Sequence, residues 1–112
     1  MTTLLVLFRR PDGGTEAADA FERAYAEGHL PLVVGTPGLR SVRVQRVHEA
    51  LGSETDLALV TALDFDDRAA LDAGLASDAM RAAGRNLRSF APGLATMLVL
   101  DPAPDLVPPD WR

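Results

Sequence analysis

Residues 4–8 read Leu4-Leu5-Val6-Leu7-Phe8, with no polar side chain in the run. Five residues is the length of a strand, too short for a helix. Successive strand side chains point to opposite faces, so Leu4, Val6 and Phe8 face one way and Leu5 and Leu7 the other. A strand that is apolar on both faces belongs in a sheet covered on both sides. Residues 56–65 repeat the pattern: Leu57, Leu59 and Leu63 oppose Ala58, Val60 and Ala62.

Two further strands follow from the same reading. Residues 39–48 alternate imperfectly, with Val42 and Val44 separated by Arg43, and Arg40, Arg43 and Arg46 suit a solvated edge. Residues 95–100 form a last apolar strand, preceded by the Pro92-Gly93 stop. Between the first and second strands, Pro11-Asp12-Gly13-Gly14 is turn chemistry, and Thr15 is placed to cap a helix running from Glu16 to about Leu30. Ala18, Phe21, Tyr25, His29 and Leu32 trace one stripe on it, and Gly28 and Pro31 weaken its end. Between the third and fourth strands, Asp66 is placed to cap a short helix carrying Leu71 and Leu75. Ser77 is placed to cap another, with Met80, Ala83, Leu87 and Phe90 on one face.

The order is β-α-β-β-α-β with the second helical segment split, which predicts an α+β, ferredoxin-like sandwich on a four-stranded antiparallel sheet. Right-handed crossovers put both helical layers on one face of that sheet. The double-sided apolar strands then need cover on the other face, and a second copy of the chain, sheet against sheet, supplies it most simply. A homodimer is therefore expected. The competing reading folds residues 102–112 over that face, but Pro102, Pro104, Pro108 and Pro109 make them a poor lid and an extended arm. The domain is expected to span residues 1–101, with the Pro-rich arm beyond it.

Composition narrows the chemistry. The chain has 112 residues, a formal charge of −5 and no cysteine, and all 11 of its basic residues are Arg. Disulfides, thiolate zinc sites and cysteine nucleophiles are excluded, as are lysine Schiff bases and a P-loop. The acidic balance argues against nucleic acid and anionic membranes as partners. The first apolar run is followed by Arg9 and Arg10 and is too short for a signal or a span, so a cytoplasmic protein is expected. No G-x-S-x-G, G-x-G-x-x-G or H-E-x-x-H motif occurs, and His29 and His48 have no ligand-spaced partner, so no metal site is expected. Asp64, Asp66 and Asp67 read as helix-start acids.

His29 is the informative residue. It follows Tyr25 by four positions on the stripe that faces the sheet, where a small domain can hold an apolar pocket with one polar group. Imidazole titrates near neutrality and suits proton transfer, and Tyr25 is able to donate a hydrogen bond to a developing oxyanion. Periodicity alone favours a plainer role for both: a core histidine bonded to backbone, and a tyrosine with its hydroxyl at the rim. Phe8, Phe21, Leu32, Phe65 and Phe90 are candidates for core or pocket lining.

The segment Phe21-Glu22-Arg23-Ala24-Tyr25-Ala26-Glu27-Gly28-His29-Leu30-Pro31-Leu32, followed by Pro37-Gly38-Leu39, resembles the EthD family of dimeric α/β barrel proteins. The opening strand ending Phe8-Arg9-Arg10-Pro11 fits too, and the likeness extends to about Asp101. The resemblance implies a ferredoxin-like monomer that dimerises through its sheet, with the family's histidine falling on His29 as acid or base in a pocket between sheet and helices. Relatives of this type include cofactor-free monooxygenases, polyketide cyclases, lactone isomerases and accessory proteins of ether degradation. The expected function is that of a cofactor-independent enzyme on a small apolar or aromatic metabolite, of the oxidoreductase or cyclase and isomerase type. In it His29 moves the proton and Tyr25 orients the oxygen. The alternatives are a non-catalytic module that binds such a molecule for a degradation or biosynthetic operon, and a structural partner in an operon-encoded complex.

Overall fold

Strand parity is what organises the molecule. In the computed structural model, which describes residues 1–112, β1 (Thr2–Arg9) buries Thr2, Leu4, Val6 and Phe8 and leaves Thr3, Leu5 and Leu7 half-buried. It is the central strand with β3 (Leu57–Phe65), and the sheet order is β2-β3-β1-β4, with β2 at Leu39–Arg46 and β4 at Ala95–Leu100. All neighbouring pairs are antiparallel. This is the ferredoxin-like α+β fold read from the strand pattern.

The helices lie on one face. The first helical segment is α1 (Gly14–Ala24), a π turn (Tyr25–His29) and α2 (Leu30–Val33), in unbroken succession. The second is α3 (Arg68–Leu75) and α4 (Asp78–Phe90). Leu4, Val6, Phe8, Leu59, Leu63 and Phe65 from the sheet meet Phe21, Tyr25, Leu71, Ala83 and Leu87 from the helices in one core.

Several local expectations are corrected. Thr15 does not cap α1; the helix begins two residues earlier than expected, at Gly14, after Gly13 at φ 114°, a conformation natural to glycine. The helix does not fade at Leu30 but continues to Val33, because the π turn absorbs Pro31. The Leu30 N–H donates to the Tyr25 carbonyl, and the missing proline N–H falls where the pattern has already been reset. Asp67, not Asp66, caps α3 by accepting from the Ala70 N–H at 2.8 Å. Asp66 instead pairs with Arg40 at 2.8 Å. Asp64 accepts from Thr3 and Ser41 on the sheet, which holds its carboxyl below the usual range. Ser77 caps α4 as expected. β2 ends at Arg46, two residues early, and its arginines are exposed, Arg46 bound to Glu22 of α1. The arm is not extended: Pro104–Leu106 and Pro109–Trp111 form two 3₁₀ turns that hydrogen-bond only among residues 103–112.

The opposite face of the sheet carries no element. The molecule is 18 Å along its shortest axis, the depth of one sheet and one helical layer. Cross-strand pairing sets Leu5 beside both Ala62 and Leu98, and Leu7 beside Val60, on this open face. Leu98 and Leu100 are exposed there, and every residue of the arm is exposed as well, so the arm does not cover it. No helix is long and apolar enough to cross a membrane.

Gly74 fixes the seat of α3 on the sheet. A β-carbon there would stand 2.8 Å from Phe65 Cε1 and 3.0 Å from Thr36 Cγ2, and Phe65 is fully buried. Gly74→Ala gains about 1 kcal/mol of helix propensity but overpacks a rigid site by about 1–3 kcal/mol. We expect a net loss of about 1 kcal/mol, read as a lower urea midpoint at unchanged slope.

Candidate functional site

The site grows from a repeat of four. Phe21, Tyr25, His29 and Val33 are 5%, 4%, 6% and 4% exposed, so all four face the core. In a regular α-helix a spacing of four advances about 40° past a full turn, and three such steps would carry Val33 far round the helix. The wider π turn over Tyr25–His29 takes that rotation back. It therefore aims Tyr25, His29 and Val33 at the same space. Gly28 lies on the side of this turn towards α4, where its missing β-carbon would stand 3.6 Å from Asn86 Nδ2.

That space is a cavity of about 90 Å³ between the sheet and the helices. Phe8, Val6 and Leu4 of β1 and Leu63 of β3 floor it, and Ala83 and Leu87 of α4 wall it. Its polar side chains are those of Tyr25, His29 and Thr61. The Tyr25 hydroxyl lies 2.5 Å from Thr61 Oγ1, and His29 Nδ1 lies 3.2 Å from Asn86 Oδ1. With the carboxamide oxygen as acceptor, Nδ1 carries the proton and Nε2 the lone pair.

Burial pushes the His29 pKa below 6.5, opposed by the bonds to Asn86 and to the Ala83 backbone. Burial pushes Tyr25 above 10.0, opposed by the bond to Thr61. Both are neutral at pH 7: an imidazole able to accept a proton stands beside a phenol able to donate a hydrogen bond. Their ring centroids are 5.6 Å apart.

Of the residues expected to line the pocket, Phe8 does. Phe21 and Phe90 do not: they pack behind the pair, Phe21 against Phe8 at 5.8 Å and Phe90 against the His29 ring at 5.7 Å. Leu32 is turned to the flank by the π turn, and Val33 takes its place in the lining. Phe65 is sealed under α3 instead, against Gly74. Thr61 and Asn86 were not anticipated. Thr61 had a signal, because it is the polar residue at the core-facing parity of β3, between Leu59 and Leu63. Asn86 had none, since it flanks the α4 stripe and meets His29 57 positions away in sequence.

His48 is exposed and lies in a wider groove of about 960 Å³ beneath residues 47–57, with Arg9, Arg10, Glu49, Glu54 and Asp56. That groove is polar and open to water, and it holds neither Tyr25 nor His29.

The fold and this cavity together define a ferredoxin-like α+β protein with an apolar, histidine-bearing pocket between its two layers. The chain is similar to an EthD family protein from Bacillus halodurans C-125, with 27% identity and a TM-score of 0.83, over 92% of this chain and 99% of that one. The likeness to the EthD family, read in the sequence as far as about Asp101, agrees with this coverage. The fold is shared with a dimeric, ferredoxin-like protein of unknown function from Bacteroides fragilis NCTC 9343, which is 17% identical with a TM-score of 0.64 over 89% of this chain and 94% of that one. It is shared too with a putative antibiotic biosynthesis monooxygenase from Nitrosomonas europaea, 12% identical with a TM-score of 0.62 over 91% of this chain and 98% of that one. No protein-family model and no curated protein sequence matches the chain.

Proposed function

We propose that the protein is an enzyme that removes a proton from a small apolar, carbonyl- or phenol-bearing metabolite. The observation that carries this reading is an imidazole and a phenol hydroxyl, each held by one core partner, on the wall of a mostly apolar cavity whose other polar side chain is Thr61. His29 Nε2 accepts the proton from a C–H beside the carbonyl, or from a phenolic O–H, and the bonding electrons stay on the substrate as enolate or phenolate. The Tyr25 hydroxyl, accepting from Thr61, donates to the substrate oxygen where the charge collects. Kinship with the EthD family protein and a fold in common with the monooxygenase-like protein support a small-molecule reaction of this type.

The working unit in this reading is a cytoplasmic homodimer of residues 1–101, joined through the open faces around Leu5, Leu7, Val60 and Leu98, with residues 102–112 as an appended arm. The uncovered apolar sheet and the dimeric ferredoxin-like neighbour support it.

A binding module without turnover is the second reading. It is favoured by the fact that Tyr25 and His29 already have partners in Thr61 and Asn86. A panel of small ketones, lactones and phenols separates the two. An enzyme converts at least one compound and loses conversion but not binding when His29 is replaced. A module shifts the His29 and Tyr25 resonances in NMR and yields no product from any of them.

A further inference from the structure

Most of the cavity lining is buried. Leu4, Val6, Phe8, Tyr25, His29, Val33, Thr61, Leu63, Ala83 and Leu87 are all buried. The remaining lining residues are Met97, 53% exposed, Leu75, 36% exposed, and the partly buried Met80 and Gly84. The mouth therefore lies between the β4 edge and the α3–α4 junction, and a ligand whose oxygen reaches Tyr25 and His29 trails its apolar end towards Met97.

Met97 pairs with Val6 across β1 and β4, so it points to the helix side of the sheet, while Leu98 beside it points to the open face. β4 is an edge strand, and Met97 on it is left 53% exposed. Met97 closes the mouth with an unbranched, flexible side chain, and Met80 of α4 closes it from the other side. Gly84 contributes no side chain. Methionine fills irregular gaps and yields readily to a shape that presses on it.

We propose that Met97, with Met80, sets the size limit of the ligand: a single ring or its equivalent in carbon, bearing one oxygen. The proposal deepens the reading of the cavity as a ligand site and rests on it. An apolar cavity of about 150 Å³ holds benzene. At about 90 Å³ this one takes a single ring when Met80 swings aside, and a second fused ring has room only if Met97 is displaced from the mouth as well. Met97→Ala removes Cγ, Sδ and Cε from the mouth of a site whose floor is untouched. Because Met97 is exposed on an edge strand, the change leaves the core packed.

The test uses phenol and 1-naphthol as probes in NMR titrations of the full chain, following the Tyr25 and His29 side chains. In the unsubstituted protein, 1-naphthol is expected to bind about tenfold or more weakly than phenol. Met97→Ala should tighten 1-naphthol by about tenfold or more while moving phenol less than about threefold, the scale on which a methylene counts in a closed pocket. Met97→Leu, which conserves volume, should keep the original preference. Equal preference in the unsubstituted protein and Met97→Ala, with both probes bound, overturns the size limit and leaves the ligand site standing. Absence of shifts at Tyr25 and His29 with either probe in either protein overturns the ligand site itself, and the size limit with it.

Discussion

Leu5→Arg is expected to convert a dimer into a folded monomer. Leu5 sits mid-sheet on the open face, flanked across the strands by Ala62 and Leu98. In a two-fold sheet-to-sheet dimer each substitution appears twice in one interface. A guanidinium buried without a partner costs several kcal/mol. About 4 kcal/mol over the two copies already weakens association about a thousandfold. In the separated chain the same arginine lies on a face open to water, so far-ultraviolet circular dichroism and cooperative unfolding should persist. Sedimentation equilibrium at micromolar concentration checks this. An unsubstituted protein that sediments as a monomer, or a Leu5→Arg variant that remains a dimer, defeats the assembly. The size limit set by Met97 would survive, because Met97 points to the other side of the sheet.

His29→Gln should cost about 10²–10⁴ in turnover, the range a positioned general base supplies, with ligand affinity changed far less. The glutamine keeps a polar head near Asn86 but does not titrate. Two pH dependences accompany the loss. Only neutral His29 accepts a proton, and its folded pKa lies below 6.5, so the acid limb of the pH–activity profile should fall below pH 6.5. Asn86→Ala removes the bond that raises that pKa and should move the limb lower still. Stability follows the same shift. Between the folded pKa and about 6.5 the unfolded chain binds the proton and the folded chain does not, so stability increases with pH across that window. It is complete above about pH 6.5 and declines as pH falls below it. Urea unfolding at a series of pH values should show that slope in the unsubstituted protein and a smaller one in His29→Gln. Equal slopes would mean that His29 ionises as freely in the fold as in water.

The candidate site was partly legible from residue spacing. Tyr25 and His29 stood out because a spacing of four keeps residues near one helix face, and Thr61 carried an unread signal as a hydroxyl at a core-facing strand position. The register of the lining was not legible. A uniform helix turns Leu32 inward, whereas the π turn before Pro31 turns Val33 inward, and that choice depends on how the backbone accommodates a missing N–H against packed neighbours. Phe65 and Phe90 are as apolar as Phe8, and which of them borders a void depends on what packs opposite: Gly74 admits Phe65, and the His29 ring meets Phe90.

Read alone, the sequence determined the order of elements, the two faces of each strand and the one-sided placement of the helices, since these follow from period, turn chemistry and the handedness of crossovers. Tertiary structure alone decided that a hollow remains between the layers, that Thr61 and Asn86 hydrogen-bond Tyr25 and His29 on its wall, and that Met97 stands at its mouth. Those facts are sums of contacts between residues distant in the chain, and periodicity carries no term for a volume left unfilled.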